Sequence, residues 1–413
     1  MKKFSSIILL ILFLVSTNCN TTANSEEDAE TLAAKAKLIE ADAGFSIDLF
    51  KTIHGADTSS NIFISPLSVS MALGMTMNGA TGNTLFEMQN TLGFADMTQE
   101  EINKGYRSLK RQLERADDDV EFAIANSVWA NADFTVKEEF TNTVEEYFAA
   151  KTASLDFNDP KTVDIINDWV SDNTNERITK VINFISSLDK MFLINAVYFN
   201  GSWKYKFDPE ATEPYNFYLD QNKFVEVEMM NQKNYAGYFI SDDVTMLELP
   251  YGNEAFNMFF IKPSKQGVTI DQLIEANFSR TALNNWESNI IRDSVNYYIP
   301  KLELEYKRLM INDLRSLGMI QVFQEGAAEL NDLFEELNSL YVSGVLHKTF
   351  LKMDEEGTEA AGVTVVAIST TSVGPPEPPT IVFNQPYLLI LKEKDTGAIL
   401  FIGKIGDPTT SSD

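Results

Sequence analysis

The stretch from Asp354 to Pro379 constrains the fold most, because it places the sequence of a strand between the sequences of two loops. Its central part, residues 358–373, is rich in valine and threonine and contains no lysine, arginine or aromatic residue. Such β-branched residues favour an extended backbone. The acidic residues before Gly357 and the four prolines after Gly374 favour loops instead, since proline cannot donate to a β ladder.

The central part also alternates, which divides it into two faces. One face carries only small, apolar or threonine side chains: Thr358, Ala360, Gly362, Thr364, Val366 and Ile368. The other face begins with Glu359, which requires water. The pattern is compatible with two structures, an ordinary edge strand that ends in a proline-rich turn and an exposed loop that carries the sequence of a strand.

The formal net charge of −27, from 33 basic and 60 acidic residues, limits the possible partners. An acidic surface repels phosphate backbones and anionic lipid headgroups, so we expect no nucleic-acid partner. Cys19 is the only cysteine, and His54 and His347 are the only histidines. The chain can therefore form no internal disulfide, and we expect no metal site and no cofactor.

The first residues have the pattern of an export signal. Two lysines precede the apolar run Ile7–Val15, which is too short to span a bilayer as a helix, and Cys19 follows this run as in bacterial lipoproteins. Residues 1–19 predict a signal peptide lipidated at Cys19, with simple secretion as the alternative. Residues 20–32 are polar and acidic and predict a flexible tether. We expect a secreted or cell-surface protein, lipid-anchored to a bacterial membrane.

The remainder alternates between helical and strand patterns without a repeat or a linker, and predicts one α+β domain over residues 33–408. Helices are indicated at 33–53, 69–79, 164–174 and 306–317, and a terminal hairpin at 381–391 and 398–405. Ser65 and Ser68 precede the second helix and predict hydroxyl caps for it. The acidic residues between Glu325 and Glu336 predict a solvated helix face.

Met191–Asn200 is the clearest buried strand, and only Asn195 interrupts its apolar sequence. A buried amide needs partners, so we interpret Asn195 as a hydrogen-bond node. His347 also lies among apolar residues, and as a general base it would need an acid and a serine beside it. We interpret it as a structural residue. Since phosphate-cradling glycine loops, HExxH and GxSxG are all absent, we expect the protein not to be an enzyme.

Seven motifs, in this order along the chain, resemble those of the serpins. They are residues 61–68, 195–203, 299–301, 347–348, 354–361, 383–387 and 400–404. The resemblance covers the whole domain and implies the serpin fold: three β-sheets, about nine helices, an exposed reactive-centre loop at 355–380 and a short tail at 409–413. It favours the second structure for the strand-like loop, because a cleaved serpin loop inserts into the largest sheet as a central strand.

The resemblance also implies roles for individual residues. The loop hinge would comprise Glu355, Gly357, Thr358, Ala360, Ala361, Gly362 and Thr364. The "shutter", a polar cluster beneath the sheet, would comprise Ser65, Ser68, Asn195 and His347. Trp203 would lie in the "breach", where insertion begins. The cleaved bond would be Thr371–Ser372, fourteen positions after Gly357. Ile368, Thr370 and Val373 are alternatives, because the segment after this bond is longer than in common members.

The implied function is a suicide-substrate inhibitor that acts as a monomer and forms a covalent acyl complex with a serine protease. Thr371 is small and β-branched and suits the shallow pocket of elastase-like or subtilisin-like proteases. The alternative is a non-inhibitory serpin that acts as a binding or carrier protein. The small residues of the hinge favour the inhibitor.

Overall fold

The computed structural model describes residues 27–336, 340–358 and 377–410. The predicted signal peptide, Cys19 and the reactive bond Thr371–Ser372 lie outside the described residues. Within them the α-helices are α1 (Ala29–Ala56), α2 (Pro66–Met77), α3 (Gly82–Leu92), α4 (Gln99–Leu113), α5 (Glu138–Phe148), α6 (Lys161–Asp172), α7 (Ile270–Ala276), α8 (Arg280–Ser288) and α9 (Ile311–Ser316). The strands are β1 (Asn61–Ile64), β2 (Val120–Asn131), β3 (Lys151–Leu155), β4 (Met191–Ser202), β5 (Glu213–Tyr218), β6 (Phe224–Ile240), β7 (Val244–Tyr251), β8 (Phe256–Pro263), β9 (Ile291–Pro300), β10 (Leu302–Leu309), β11 (Gly344–Met353), β12 (Gly357–Thr358), β13 (Thr380–Val382), β14 (Tyr387–Glu393) and β15 (Ile399–Ile405).

The strands form two hydrogen-bonded networks. The six-stranded sheet has the order β10-β11-β4-β2-β3, and the short β12 pairs with the end of β4. The nine-stranded network has the order β1-β15-β14-β8-β7-β6-β9-β13, and β5 pairs with β6. One α+β domain with about nine helices is confirmed for the described part of the chain.

The long strand β6 explains why the three expected sheets form two networks. Its residues 224–229 pair with β5, residues 229–238 with β9 and residues 237–240 with β7. The strand of 17 residues runs from one layer into the next, so the hydrogen bonds of the two layers are continuous.

The six-stranded sheet is covered on both faces around β4. All twelve residues of α2 are buried, and this helix packs against β4 and β2. On the opposite face, Ile166 and Val170 of α6 form a smaller apolar cluster with Trp129 and Ile194. A further strand in this sheet would be screened from water on both sides, which favours apolar or small side chains in it.

Both ends of the described domain differ from the predicted boundaries. α1 begins at Ala29, because the Asp28 carboxylate accepts the Thr31 N–H at 2.7 Å and caps the helix. Residues 29–32 of the predicted tether are therefore helical. The predicted tail is attached to the domain as far as Thr410, whose carbonyl accepts a hydrogen bond from Asn61 Nδ2 at 2.7 Å.

One predicted helix is shorter than expected, and another is absent from the described residues. β10 continues to Leu309, so the helix expected at 306–317 shortens to α9. The acidic segment 325–336 contains no helix. Its Glu329 carboxylate instead accepts the Asn83 N–H at 2.7 Å, at the start of α3. A pattern of acidic residues does not distinguish a solvated helix face from a carboxylate that caps another helix.

Candidate functional site

The candidate site lies where β4 and β11 stop pairing. These strands are parallel neighbours from Phe192 and Gly344 to Val197 and Thr349. Nearer the end of β4, its partner on this side is β12, with Gly357 opposite Ser202 and Thr358 opposite Gly201. One end of the β4–β11 seam is therefore closed, and the other end holds two residues of an antiparallel strand.

Charged groups fix the segment that leads into β12. The Glu355 carboxylate lies 2.8 Å from Lys301 Nζ and accepts the Thr212 hydroxyl at 2.7 Å. Burial alone raises the pKa of Glu355, but the hydrogen bonds from Lys301 and Thr212 bring it below its usual value. Glu356 pairs with Lys206 at 2.6 Å. The predicted hinge residue Glu355 is thus an ionised anchor.

Trp203, the predicted breach residue, contacts the same segment directly. Its indole N–H donates to the Asp354 carbonyl and its backbone N–H to the Glu356 carbonyl, both at 2.9 Å. The indole ring stacks on Tyr251 with 4.3 Å between ring centroids. Trp203 therefore holds the main chain that precedes the hinge.

Gly357 and Thr358 are the hinge residues nearest to the sheet. Gly357 has φ of +150°, in a region that glycine favours, and Thr358 is 2% exposed. The Thr358 hydroxyl shares a hydrogen bond of 2.7 Å with the Tyr251 hydroxyl. The remaining predicted hinge residues, Ala360, Ala361, Gly362 and Thr364, lie outside the described residues.

The predicted shutter residues come together on neighbouring strands and the helix beneath them. Asn195 on β4 pairs with His347 on β11 and, on its other side, with Asn126 on β2. The start of α2 lies against this row, with Ser65 and Ser68 buried. The row crosses the part of the seam that is closed.

The hydrogen bonds of this cluster determine the state of His347. The Ser65 N–H donates to Nε2 at 3.0 Å, so the ring proton is on Nδ1 and points to Asn195 Oδ1 at 3.1 Å. Burial lowers the pKa of His347 to about 3, so the imidazole is neutral. Asn195 Nδ2 donates to the Ser68 carbonyl at 3.0 Å and to Asn126 Oδ1 at 2.6 Å. His347 has the geometry of a structural residue, not of a general base.

The predicted hydroxyl caps of α2 are wrong. The Ser68 hydroxyl donates to Asn195 Oδ1 and to the Ser65 carbonyl, and the Ser65 hydroxyl makes no hydrogen bond with the described residues. Sequence reasoning missed Asn126 and Tyr251. Asn126 interrupts an apolar strand as Asn195 does, so the same signal could have found it. Tyr251 lies in a turn motif that gives no such signal.

The described residues contain no cluster of three or more histidine, cysteine or acidic side chains arranged to hold a metal ion. Their helices are also too short or too polar to cross a bilayer. What the site offers is a row of paired main-chain groups between β4 and β11, with the two residues of β12 paired to the end of β4.

A family model described as Serpin (serine protease inhibitor) matches residues 40–408. Neuroserpin of Gallus gallus is 30% identical over 380 residues, which cover 89% of this chain and 90% of that protein. The leukocyte elastase inhibitor of Equus caballus is 30% identical over 382 residues, which cover 90% of this chain and 100% of that protein.

Solved structures give the same result. The thermophilic serpin tengpin in its native state superposes with a TM-score of 0.82 and 31% identity, over 93% of this chain and 96% of that chain. Human thyroxine-binding globulin superposes with a TM-score of 0.84 and 27% identity, over 91% of this chain and 100% of that chain. The chain belongs to the serpin family.

Proposed function

We propose that the protein is a suicide-substrate inhibitor of serine proteases that acts as a monomer. The observation that carries the proposal is the pairing of Gly357 and Thr358 with β4, because it places the start of the strand-like loop in the sheet that would receive the rest. The names of relatives such as neuroserpin and the leukocyte elastase inhibitor agree with this function.

The register of β12 defines where the following residues would lie after insertion. Gly357 lies opposite Ser202, so Ile368, eleven positions later, would lie opposite Met191, eleven positions earlier on β4. The strand-like sequence would then fill the whole length of β4. The side chains on the face of Thr358 would be Ala360, Gly362, Thr364 and Val366, which are small enough or apolar enough for a covered sheet.

The chemistry belongs to the protease. Its serine attacks the carbonyl carbon of Thr371, an acyl-enzyme forms, and the amine of Ser372 leaves. Insertion of the freed loop then drags the protease, which is still bonded to Thr371, away from its first position. This displacement distorts the catalytic site of the protease before water can hydrolyse the ester. Backbone hydrogen bonds and burial of the apolar face supply the driving force.

The test uses the full chain with elastase-like and subtilisin-like proteases, analysed on denaturing gels. The expected product is a covalent complex together with a released fragment that begins at Ser372. Cleaved protein without any complex, across the protease panel, contradicts the proposal. The shallow pocket expected for Thr371 and the relative named leukocyte elastase inhibitor favour the elastase-like class.

One observation favours a second candidate, a non-inhibitory carrier. A cavity of about 560 Å³ lies between α1, α8 and the β14–β15 hairpin, with Ile39, Leu283, Arg280 and Lys392 in its wall. Thyroxine-binding globulin, which has this fold, has been solved with thyroxine bound. Saturable binding of thyroxine by calorimetry, with no gain in thermal stability after loop cleavage, would favour the carrier over the inhibitor.

We further propose that the protein is exported, on the basis of residues 1–19. The lipid anchor at Cys19 and the bacterial membrane rest on the sequence pattern, and the vertebrate relatives named above give them no support. Mass spectrometry of the mature N-terminus, from the native host, distinguishes a lipidated Cys19 from a free N-terminus produced by simple secretion.

A further inference from the structure

Tyr251 links the two strand networks at the hinge. It is the last residue of β7, in the nine-stranded network, and its hydroxyl bonds Thr358 of β12, in the six-stranded sheet. The two oxygen atoms are 2.7 Å apart, and both residues are buried. The hinge is therefore held from outside the sheet that it enters, as well as by its pairing with β4.

The Tyr251 ring has little freedom to move. Trp203 stacks on one side of it, and Phe199 meets it edge-on with 5.1 Å between centroids. A β-carbon at Gly201 would lie 3.1 Å from Tyr251 Cδ1, so the strand opposite is also in close contact. The next amide, Gly252 N–H, donates to the Ser202 carbonyl at 2.9 Å. The phenol oxygen is thus a fixed point relative to β4.

A fixed, buried hydroxyl discriminates between residues that could occupy the hinge position. Threonine fills the space and completes the hydrogen bond. Valine has the same shape but leaves the Tyr251 hydroxyl without this partner, and a buried hydroxyl that loses its partner is destabilising. The arrangement therefore selects a small hydroxyl side chain at position 358 and penalises its departure from the sheet.

We propose that Tyr251 is a positioning residue for loop insertion, whose hydroxyl holds Thr358 in register at the mouth of the seam between β4 and β11. This inference rests on the proposed inhibitory function. Insertion then begins from two residues that are already paired, so the conformational entropy of placing the first residues is lost before a protease arrives. Without the hydroxyl pair, the hinge spends more time outside the sheet and insertion starts later.

The first experiment measures the resting hinge without any protease. Hydrogen exchange of the Trp203 amide reports docking, because this amide donates to the Glu356 carbonyl. Tyr251→Phe and Thr358→Val should each speed this exchange about fivefold, the change that one neutral hydrogen bond brings, and the double variant should add little. Thr358→Ser, which restores a hydroxyl, should reverse most of the effect.

Tyr106→Phe is the matched control, because it removes another buried tyrosine hydroxyl bond, to Ser70, far from the hinge in sequence. Trp203 exchange should keep its wild-type rate in this variant. A general loss of stability would speed Trp203 exchange alike in Tyr106→Phe and Tyr251→Phe. The proposal requires that, of these two variants, only Tyr251→Phe exchanges faster than wild type. Equal exchange in Tyr251→Phe and wild type overturns the proposal.

The second experiment measures how attacked molecules divide between covalent complex and cleaved, released protein. Tyr251→Phe and Thr358→Val should lower the ratio of complex to cleaved protein about fivefold, with rescue by Thr358→Ser. If wild type forms no complex but exchange responds, the inhibitory function fails and the docking of the hinge by Tyr251 stands. If wild type forms complexes and the ratio does not change in Tyr251→Phe, the positioning role is overturned and the inhibitory function stands.

Discussion

Gly357 packs directly on the main chain of Gly201: a β-carbon at position 357 would lie 2.1 Å from the Gly201 carbonyl oxygen. The φ of +150° at Gly357 is also a conformation that other residues rarely adopt. We expect Gly357→Ala to add roughly 1–3 kcal/mol of backbone strain and a similar steric cost, and to move the hinge out of the sheet. Urea unfolding and Trp203 amide exchange measure the two effects.

Gly267→Ala is the matched control for this substitution. Gly267 has φ of +82°, but a β-carbon there meets nothing within 4 Å. This variant should lose stability through backbone strain only and leave Trp203 exchange unchanged. If the two variants lose equal stability and neither alters the exchange, close packing at Gly357 has no energetic role.

Thr358→Arg should convert an inhibitor into a substrate. Thr358 is 2% exposed, and burial of an unpaired guanidinium at this position is far more costly than burial of a hydroxyl. Insertion would stall while the acyl-enzyme hydrolyses, so the yield of covalent complex should fall about tenfold or more, with cleavage at the same bond. Denaturing gels give the yield, and sequencing of the released fragment gives the bond.

Val363→Arg adds the same charge to the other face of the loop sequence. This variant should retain most of the wild-type yield of covalent complex. Unchanged inhibition by Thr358→Arg, or equal loss in both variants, would falsify the idea that the face of Thr358 turns inward on insertion.

His347 should make the folded state less stable in acid. Burial lowers its pKa from 6.5 to about 3, so the unfolded chain binds a proton that the folded protein rejects. The contribution of neutral His347 to the free energy of unfolding is complete above about pH 6.5 and is lost as the pH falls toward 3. The total loss is at most about 5 kcal/mol. His347→Gln keeps an acceptor near Ser65 but does not titrate. The difference in urea midpoint between His347→Gln and wild type should therefore shift in favour of the variant as the pH falls from 6.5 to 5.

Asp42 should make the folded state less stable as the pH rises, which is the opposite pH dependence to that of His347. It is 4% exposed, and burial raises its pKa from 3.8 to about 7, although the Ser70 hydroxyl beside it favours the ionised form. Because the folded pKa is raised, the stabilising effect is complete near pH 4 and is lost as the pH rises toward 7, up to about 4 kcal/mol. The difference in urea midpoint between Asp42→Asn, which cannot ionise, and wild type should shift in favour of the variant as the pH rises over this range.

The two groups together give a sharper expectation than either alone. Between about pH 4.5 and 6, His347 makes stability rise with pH and Asp42 makes it fall. These two residues together should therefore change the wild-type urea midpoint little over this range. Asp42→Asn should then show stability that rises with pH, and His347→Gln stability that falls with pH. Slopes of the same sign in the two variants would contradict the assigned protonation states.

Local sequence pattern predicts burial correctly in the strand around Asn195. The apolar run around Asn195 predicted both a covered strand and an amide that needs partners, and β4 has both. His347 was predicted to be structural for the same reason. The end of β10 is the error: residues 307–309 continue the strand where a helix is predicted, and the alternation of Leu302, Leu304 and Tyr306 with Glu303 and Glu305 is the pattern of that strand.

The features of the site that local pattern does not predict depend on contacts between residues distant in sequence. The Tyr251–Thr358 bond joins residues more than a hundred positions apart, and neither residue carries a local signal for it. The pairing of β12 with β4 likewise depends on where β11 stops pairing with β4. Local propensity predicts that the loop can be a strand, and only the sheet determines which of its residues are already paired.

An arginine scan should identify the reactive bond and its class of protease together. Substituting arginine singly at Ile368, Thr370, Thr371 and Val373 gives trypsin-like proteases a cleavable residue at each position. Cleavage alone does not distinguish these positions, but trapping does, because the length of loop that inserts before deacylation depends on where the protease is attached. We expect a covalent complex with trypsin for Thr371→Arg and mostly cleaved protein for the other three. If trapping is best at a neighbouring position, the reactive bond lies there and the hinge-to-bond distance inferred from Gly357 is wrong.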